Sequence, residues 1–299
     1  MSASLPLLAV PNVSEGREAA TIDAIGEAFR SEHGARLLDV HSDVDHNRSV
    51  FTLAGDPGSL STALLEGANI AVQRIDLSER HDPAQRGQHP HVGAVDVVPL
   101  VYLDPDQRGQ ACAQALVIAD ELGERLGVPV FLYGELADGR TRAQLRRGGV
   151  SALAQRIEAG ELYPDFGPAR LHPTAGATLL AAREPLVAFN LELAPPATLV
   201  DARRIASLIR EGASEGLPGV RAIGVSLRGG SVAQVSMNIE RPLQTPLAAV
   251  VQAVRRHAVP ACGELVGLAP AGALEGLPED LPLRGFDRAR HVIENALGF

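Results

Sequence analysis

A pattern of short β-like runs alternating with amphipathic helical stretches breaks off once and then restarts. No other feature of this chain limits its fold so tightly. Up to about residue 180 the order is strand Leu5–Val10, helix Arg17–Ser31, a strand pair Ala35–Val40 and Asn47–Ala54, and helix Ser59–Gln73. A β-rich run Ala94–Tyr102, a long helix Gln107–Leu126, strand Pro129–Tyr133 and short helices over Arg142–Gly148 and Val150–Gly160 follow. Residues 163–177, YPDFGPARLHPTAGA, hold three prolines and two glycines and sustain neither a helix nor a central strand. From Pro185 the alternation resumes: strand Leu186–Leu193, helix Leu199–Glu211, strands Arg221–Leu227 and Ser231–Ile239, and helix Pro246–His257. A turn-rich stretch, Leu277–Leu283, precedes a last helix near Asp287–Leu297. Two copies of a β-α-β-β-α-β unit account for both halves, with the boundary near residue 180, although no sequence repeat relates them. The expected fold class is therefore α+β, with subdomains 1–180 and 181–299.

Charge removes several function classes. Thirty-six acids against 27 bases give a net charge of −9, which argues against a nucleic-acid binder. Every base is Arg, so Schiff-base, pyridoxal-phosphate and P-loop lysine chemistry are excluded. Anionic substrates must then be held by Arg, His or backbone N–H groups. No window approaches a membrane span and the first residues make a poor signal peptide, so a cytoplasmic protein is expected, with no membrane or nucleic-acid partner. Cys112 and Cys262 lack disulfide or zinc spacing and read as small buried residues.

Histidine carries the chemical signal. Six of nine fall in irregular polar stretches: His41 and His46 in HSDVDHNRS, His81, His89 and His91 in the long loop 78–91, and His172 in RLHPT. Long polar loops inside compact domains are usually functional, and His is the commonest general acid/base near pH 7. Asp39, Asp43, Asp45 and Asp96 lie in or beside the same segments. His89 and His91, like His41 with Asp43 and Asp45, have the spacing of a shared strand face, yet HExxH and CxxC motifs are absent and no metal is expected. Arg48 and Arg170 stand beside His46 and His172, whereas Arg140, Arg142, Arg146 and Arg147 read as solvated surface charge.

Taken in order, VPNVSEGR (10–17), LLDVHSDVDHNRSVFTLAG (37–55), HPHVGAVDVVP (89–99), VPVFLYGE (128–135), PDFGPARLHPTAGA (164–177), VAFNLEL (187–193), AQVSMNI (233–239) and ELVGLAP (264–270) resemble the glutamate formimidoyltransferase family. This is the formiminotransferase domain that animals fuse to a cyclodeaminase. The resemblance spans about residues 5–275. It implies two ferredoxin-like subdomains whose sheets face each other across a folate groove, with helices outside, and a homodimer. It implies transfer of the formimino group of N-formimino-L-glutamate to N-5 of tetrahydrofolate, a co-substrate, in histidine degradation and one-carbon metabolism, with a separate cyclodeaminase as partner.

The family's catalytic His falls on His89, at the head of HP-x-x-GA-x-DV, and its folate stretch on Gly167–Gly176, with Pro168, Arg170, His172 and Thr174 inside it. Asn12, His41, Asn47 and Arg48 complete the expected binding set. One His with a near-neutral pKa would take a proton from the incoming amine and return it to the departing nitrogen. Asp39 and Asp96 are the expected partners of the amidine-like intermediate, and Arg48 and Arg170 of the substrate carboxylates. The chain departs from the family in a longer 78–88 loop, in His91 after the HP pair, and in His41 where the animal enzyme has an acid. Formyl transfer from N-formylglutamate, action on 5-formyltetrahydrofolate, a non-catalytic folate binder and a metal-dependent hydrolase are the competing readings.

Overall fold

The computed structural model describes residues 5–30, 34–79 and 87–298, so His81 and half of the 78–91 loop lie outside the described residues. The chain divides into two units, Met1–Glu184 and Pro185–Phe299, each with its own sheet. The fold is α+β.

In the first unit Pro11, which has no N–H to give a ladder, separates β1 (Leu7–Ala9) from β2 (Asn12–Val13), and together they fill one strand position. Helix α1 (Ala19–Phe29), hairpin β3 (Arg36–Asp43) and β4 (Arg48–Gly55), α2 (Pro57–Arg74) and β5 (Val95–Val101) follow. The order β3-β4-(β1, β2)-β5 is antiparallel throughout, as in a ferredoxin-like unit. The chain then goes beyond the expected six-element copy. Through α3 (Arg108–Leu126), β6 (Val130–Leu132), α4 (Arg142–Arg146) and α5 (Gly149–Glu158) it reaches β7 (Thr178–Arg183), and β7 pairs parallel with both β5 and β6.

Alternation assigns the two faces of this sheet. Phe51, Leu53, Val98, Leu100, Val130, Leu132, Leu180 and Ala182 pack with Ile25 and Phe29 of α1, Leu60 and Leu64 of α2 and Ile118 of α3. Their strand neighbours Val97, Phe131, Leu179 and Ala181 instead meet Leu145 of α4 and Leu153 and Ile157 of α5. Phe29 and Phe51 meet edge to face with centroids 5.0 Å apart, a geometry worth about 0.5–1.5 kcal/mol beyond burial. Gly67 of α2 makes room for this pair, since a Cβ there would lie 2.2 Å from the Phe29 ring. Asp56 caps α2 by accepting the Ser59 N–H at 3.0 Å, with Pro57 at the first helical position. The β3–β4–β2 end of the second face carries polar side chains.

The second unit is β8 (Val187–Leu193), α6 (Leu199–Ile209), β9 (Val220–Leu227), β10 (Val232–Ile239), α7 (Leu247–Arg255) and β11 (Pro260–Val266). Its strand order β11-β8-β10-β9, wholly antiparallel, is again ferredoxin-like. Phe189, Leu191, Val235, Met237 and Ile239 pack against Ile205 of α6 and Val250 and Val254 of α7.

Two expectations are corrected. The last helix is α8 (Arg288–His291) and α9 (Ile293–Leu297), broken at Val292, which leaves the helical path to bridge to Ala269. Cys112 and Cys262 are free and half-buried rather than buried. Among the described residues no helix is long and apolar enough to cross a membrane.

Candidate functional site

The site is built on the polar end of the first sheet. Residues directly opposite in an antiparallel pair share a face. The register Asp39↔Thr52, His41↔Val50, Asp43↔Arg48 thus sets Asp39, His41, Asp43 and Arg48 on one face, away from Phe51 and Leu53 in the core. Asn12 joins the same row, opposite both Val50 and Val97. At the hairpin turn Asn47 has φ 46°, a left-handed conformation Asn tolerates better than most residues. Its Oδ1 accepts the Gly16 N–H at 2.9 Å. Only glycine permits this approach, because a Cβ on residue 16 would lie 2.2 Å from the Asp43 carbonyl oxygen. The His46 N–H donates to Asp43 Oδ1 at 2.7 Å, which closes the turn.

The segment leading to His89 is laid on that turn. Gln88 N–H donates to the Asp45 carbonyl at 3.0 Å, and a Cβ on Gly87 (φ 78°) would sit 2.2 Å from the His46 carbonyl oxygen. The His89 ring then stands edge-on to His46, with centroids 6.1 Å apart. Its Nδ1–H donates to the Pro90 carbonyl at 2.9 Å, a bond that selects the Nδ1–H tautomer and leaves a lone pair on Nε2. Burial, followed by the charges of Arg48 and Arg146 and by His46, holds the His89 pKa well below the usual histidine value. The imidazole is therefore neutral at pH 7, and the near-neutral pKa expected from sequence is corrected downward.

Asp96 reaches the site through a bulge. Asn12 faces Val97 but Val13 faces Val95, so one β5 residue is extra and its direction changes. Asp96 is buried, its Oδ1 accepting the Val92 N–H at 2.7 Å and its Oδ2 accepting from Arg146 Nη2. Both carboxylate oxygens of Asp96 are thus engaged within the protein. Arg48 is pulled down to about 10, first by burial and then by Arg146, with Asp96 and Asp43 opposing, and it stays protonated at pH 7.

The 163–177 stretch joins the site at one end only. Ala94 N–H donates to the Ala175 carbonyl at 2.9 Å, Ala177 N–H to Val92 at 3.0 Å, and Leu77 N–H to Thr174 at 2.8 Å. Gly93 and Gly176 bridge at the closest approach, where a Cβ on Gly93 would lie 1.8 Å from the Ala177 oxygen. His172 Nδ1 accepts the Ala175 N–H at 3.0 Å, so that nitrogen shapes the turn, and burial lowers the His172 pKa. Gly167, with Pro168 after it, packs toward Gly123 of α3 and Val128. Arg170 is exposed, and among the described residues nothing ties it to the Arg48 cluster. His89, Asp96, His46, Asn47, Arg48 and the turn 172–176 are thus one neighbourhood, which Gly167, Pro168 and Arg170 do not visibly share.

Sequence reasoning passed over Arg146, fifty residues from its partner Asp96, and Arg142, whose guanidinium lies 5.5 Å over the Tyr133 ring. Their signal was the four-residue spacing on one helix face, read there as solvated charge. Among the described residues no three His, Cys, Asp or Glu side chains converge as a metal site would require.

Residues 7–183 match the family described as formiminotransferase domain, N-terminal subdomain, and residues 188–276 match formiminotransferase domain. The chain is similar to glutamate formimidoyltransferase of Streptococcus pyogenes serotype M1, 37% identical over 298 residues that cover 96% of this chain and 97% of that protein. Glutamate formimidoyltransferase of Thermoplasma acidophilum is 34% identical over 300 residues, covering 96% of each. Formimidoyltransferase-cyclodeaminase of Gallus gallus is 40% identical over 278 residues, covering 89% of this chain and 50% of that protein.

Proposed function

The chain belongs to the formiminotransferase domain family and is a transferase, and from that premise we propose that it moves the formimino group of N-formimino-L-glutamate to N-5 of tetrahydrofolate with His89 as general base and then general acid. The observation that carries the reading is the neutral imidazole of His89, locked by Pro90 with a free lone pair on Nε2 and flanked by Arg48 and Arg146.

The chemistry asks for one proton carrier. As N-5 forms its bond to the formimino carbon, His89 Nε2 takes the proton that N-5 loses. The bond from that carbon to the glutamate nitrogen then breaks, and His89 returns the proton to the departing amine. Atoms balance: 5-formiminotetrahydrofolate and glutamate are the products, and the imidazole ends neutral as it began. Asp96 keeps the Val92 amide and Arg146 in place during both steps. Asp39, buried on the same face as Arg48, is the carboxylate offered to the positive amidine carbon, and Asn12, His41, Asn47, His172, Thr174 and Gly176 are the surrounding binding surface.

This reading carries with it a folate co-substrate, a role in histidine degradation, a cytoplasmic homodimer and a cyclodeaminase to consume the product. The test is an assay of purified protein with N-formimino-L-glutamate and tetrahydrofolate, following glutamate and the 5-formimino product together. Stoichiometric formation of both is expected. Turnover with N-formylglutamate but not the formimino donor would replace this reading with formyl transfer.

A further inference from the structure

The face of the first sheet beside His89 carries more positive charge than proton transfer explains. Arg48 lies within electrostatic reach of both Arg146 and Arg142, with Asp96 and Asp43 opposing, so three guanidiniums gather at one place. Asp96 fixes Arg146 at one end of helix α4, and four residues earlier Arg142 spreads over the Tyr133 ring. Two donors in this patch are buried and, among the described residues, have no acceptor: the Arg146 Nε–H and the Tyr133 hydroxyl. A buried donor left unmade is costly, and a native structure retains such a cost where something else supplies the acceptor. Three gathered guanidiniums and two idle donors specify an anion with several acceptor oxygens, and a guanidinium pair suits a carboxylate.

We infer that Arg142 and Arg146, with Arg48 and Tyr133, form the pocket that takes the α-carboxylate of the amidine donor. The inference rests on the proposed reaction and names the specificity device of that same site. Connectivity selects the donor over the folate. In N-formimino-L-glutamate the nitrogen that leaves is attached to the carbon bearing the α-carboxylate, so a carboxylate pocket next to the proton carrier fits this group directly. The carboxylates of the folate lie at the far end of its p-aminobenzoyl arm, remote from N-5. Arg142 and Arg146 are therefore positioning residues for the donor, and Arg170 is not required for this task.

The test compares wild type, R142Q and R146Q with two donors: N-formimino-L-glutamate and N-formimino-4-aminobutyrate, which keeps the distal carboxylate and lacks the α-carboxylate. R142Q breaks no ion pair among the described residues and guards against an unfolded R146Q, with thermal melts to confirm folding. The expected result is a KM for the natural donor raised about ten- to a hundredfold in each variant, the loss of a charge-assisted hydrogen bond. Affinity for a reduced folate, measured separately by calorimetry, stays unchanged. Wild type should discriminate against the truncated donor and the variants should lose that discrimination, whereas R147Q, at an exposed neighbour, should behave as wild type. Normal wild-type turnover with unaltered KM and discrimination in both variants would overturn the pocket alone. No wild-type turnover with the natural donor would overturn the reaction and the pocket together.

Discussion

Two polar sheet faces, one in each unit, grow from the same β-α-β-β-α-β order and have opposite electrostatic character. On the first, Arg48 and Arg146 flank His89 and help to hold its pKa down. On the second, Glu192 of β8 and Glu264 of β11 are buried carboxylates, with Arg284 holding Glu192 at 2.6 Å and Asn190 donating to Glu264 at 3.0 Å. The second face pairs its charges within a local network, whereas the first gathers three arginines near an imidazole whose Nε2 carries a lone pair. The difference lies outside the shared core: His89 arrives on a loop before β5, Asp96 on a bulge, and Arg142 and Arg146 on α4, an addition that the second unit lacks. Strand order supplies the platform, and the added segments supply the chemistry.

The sharpest way to break this comparison is at His89. Replacing His89→Ala should lower kcat by ~10²–10⁴, the range for losing a general acid/base, while reduced-folate affinity in calorimetry changes little. Wild-type turnover in that variant would remove the contrast altogether. The matching change on the second face is Glu192→Ala, which leaves Arg284 with Glu264 alone and removes the ion pair between Arg228 and Glu192. It should cost about 1–3 kcal/mol in denaturant unfolding, with a loss in kcat far smaller than that of His89→Ala.

A smaller effect tests whether the second face, too, serves a ligand. Gln234 of β10 is fully buried, and among the described residues neither amide atom has a hydrogen-bond partner. If nothing binds there, Gln234→Met keeps the volume, removes the unpaired groups and raises Tm by a few degrees, the equivalent of about 1 kcal/mol. A fall in Tm or a loss of folate affinity would show that the second face also serves a ligand.

The subtlest distinction is in pH dependence. A histidine whose pKa is depressed stays a base as the pH falls through 6.5, so the acid limb of kcat/KM, which reports the free enzyme, should lie below that ordinary value. The groups that set it are Arg48 of β4, Arg146 of α4, His46 of the turn and the Pro90 carbonyl, of which only the carbonyl raises it. R146Q should therefore move the limb upward. A donor carboxylate on the arginines has the same sign, so the limb of kcat should lie above that of kcat/KM. The same depression makes folding weaker below about pH 6.5, because the unfolded chain then binds the proton more readily.

Much of this was legible in the sequence. Alternation located the hairpin β3–β4, and crowding of His, Pro and Gly singled out the loop that ends at His89. Strand β7 escaped because TLLAAR is apolar on both faces, Leu179 and Ala181 on one and Leu180 and Ala182 on the other, and such a strand has no alternation to read. The broken last helix escaped because a tertiary bridge at Val292 overrides local propensity. The bulge that turns Asp96 and its pairing with Arg146 are long-range consequences of the fold, invisible to spacing. The lowered pKa of His89 depends on those same contacts.

The most direct measurement is a nitrogen NMR titration of the His89 ring in the free protein. The account predicts a neutral Nδ1–H tautomer at pH 7, with proton uptake on Nε2 only below the ordinary histidine range. A ring protonated at pH 7, or a neutral ring carrying its proton on Nε2, would contradict it.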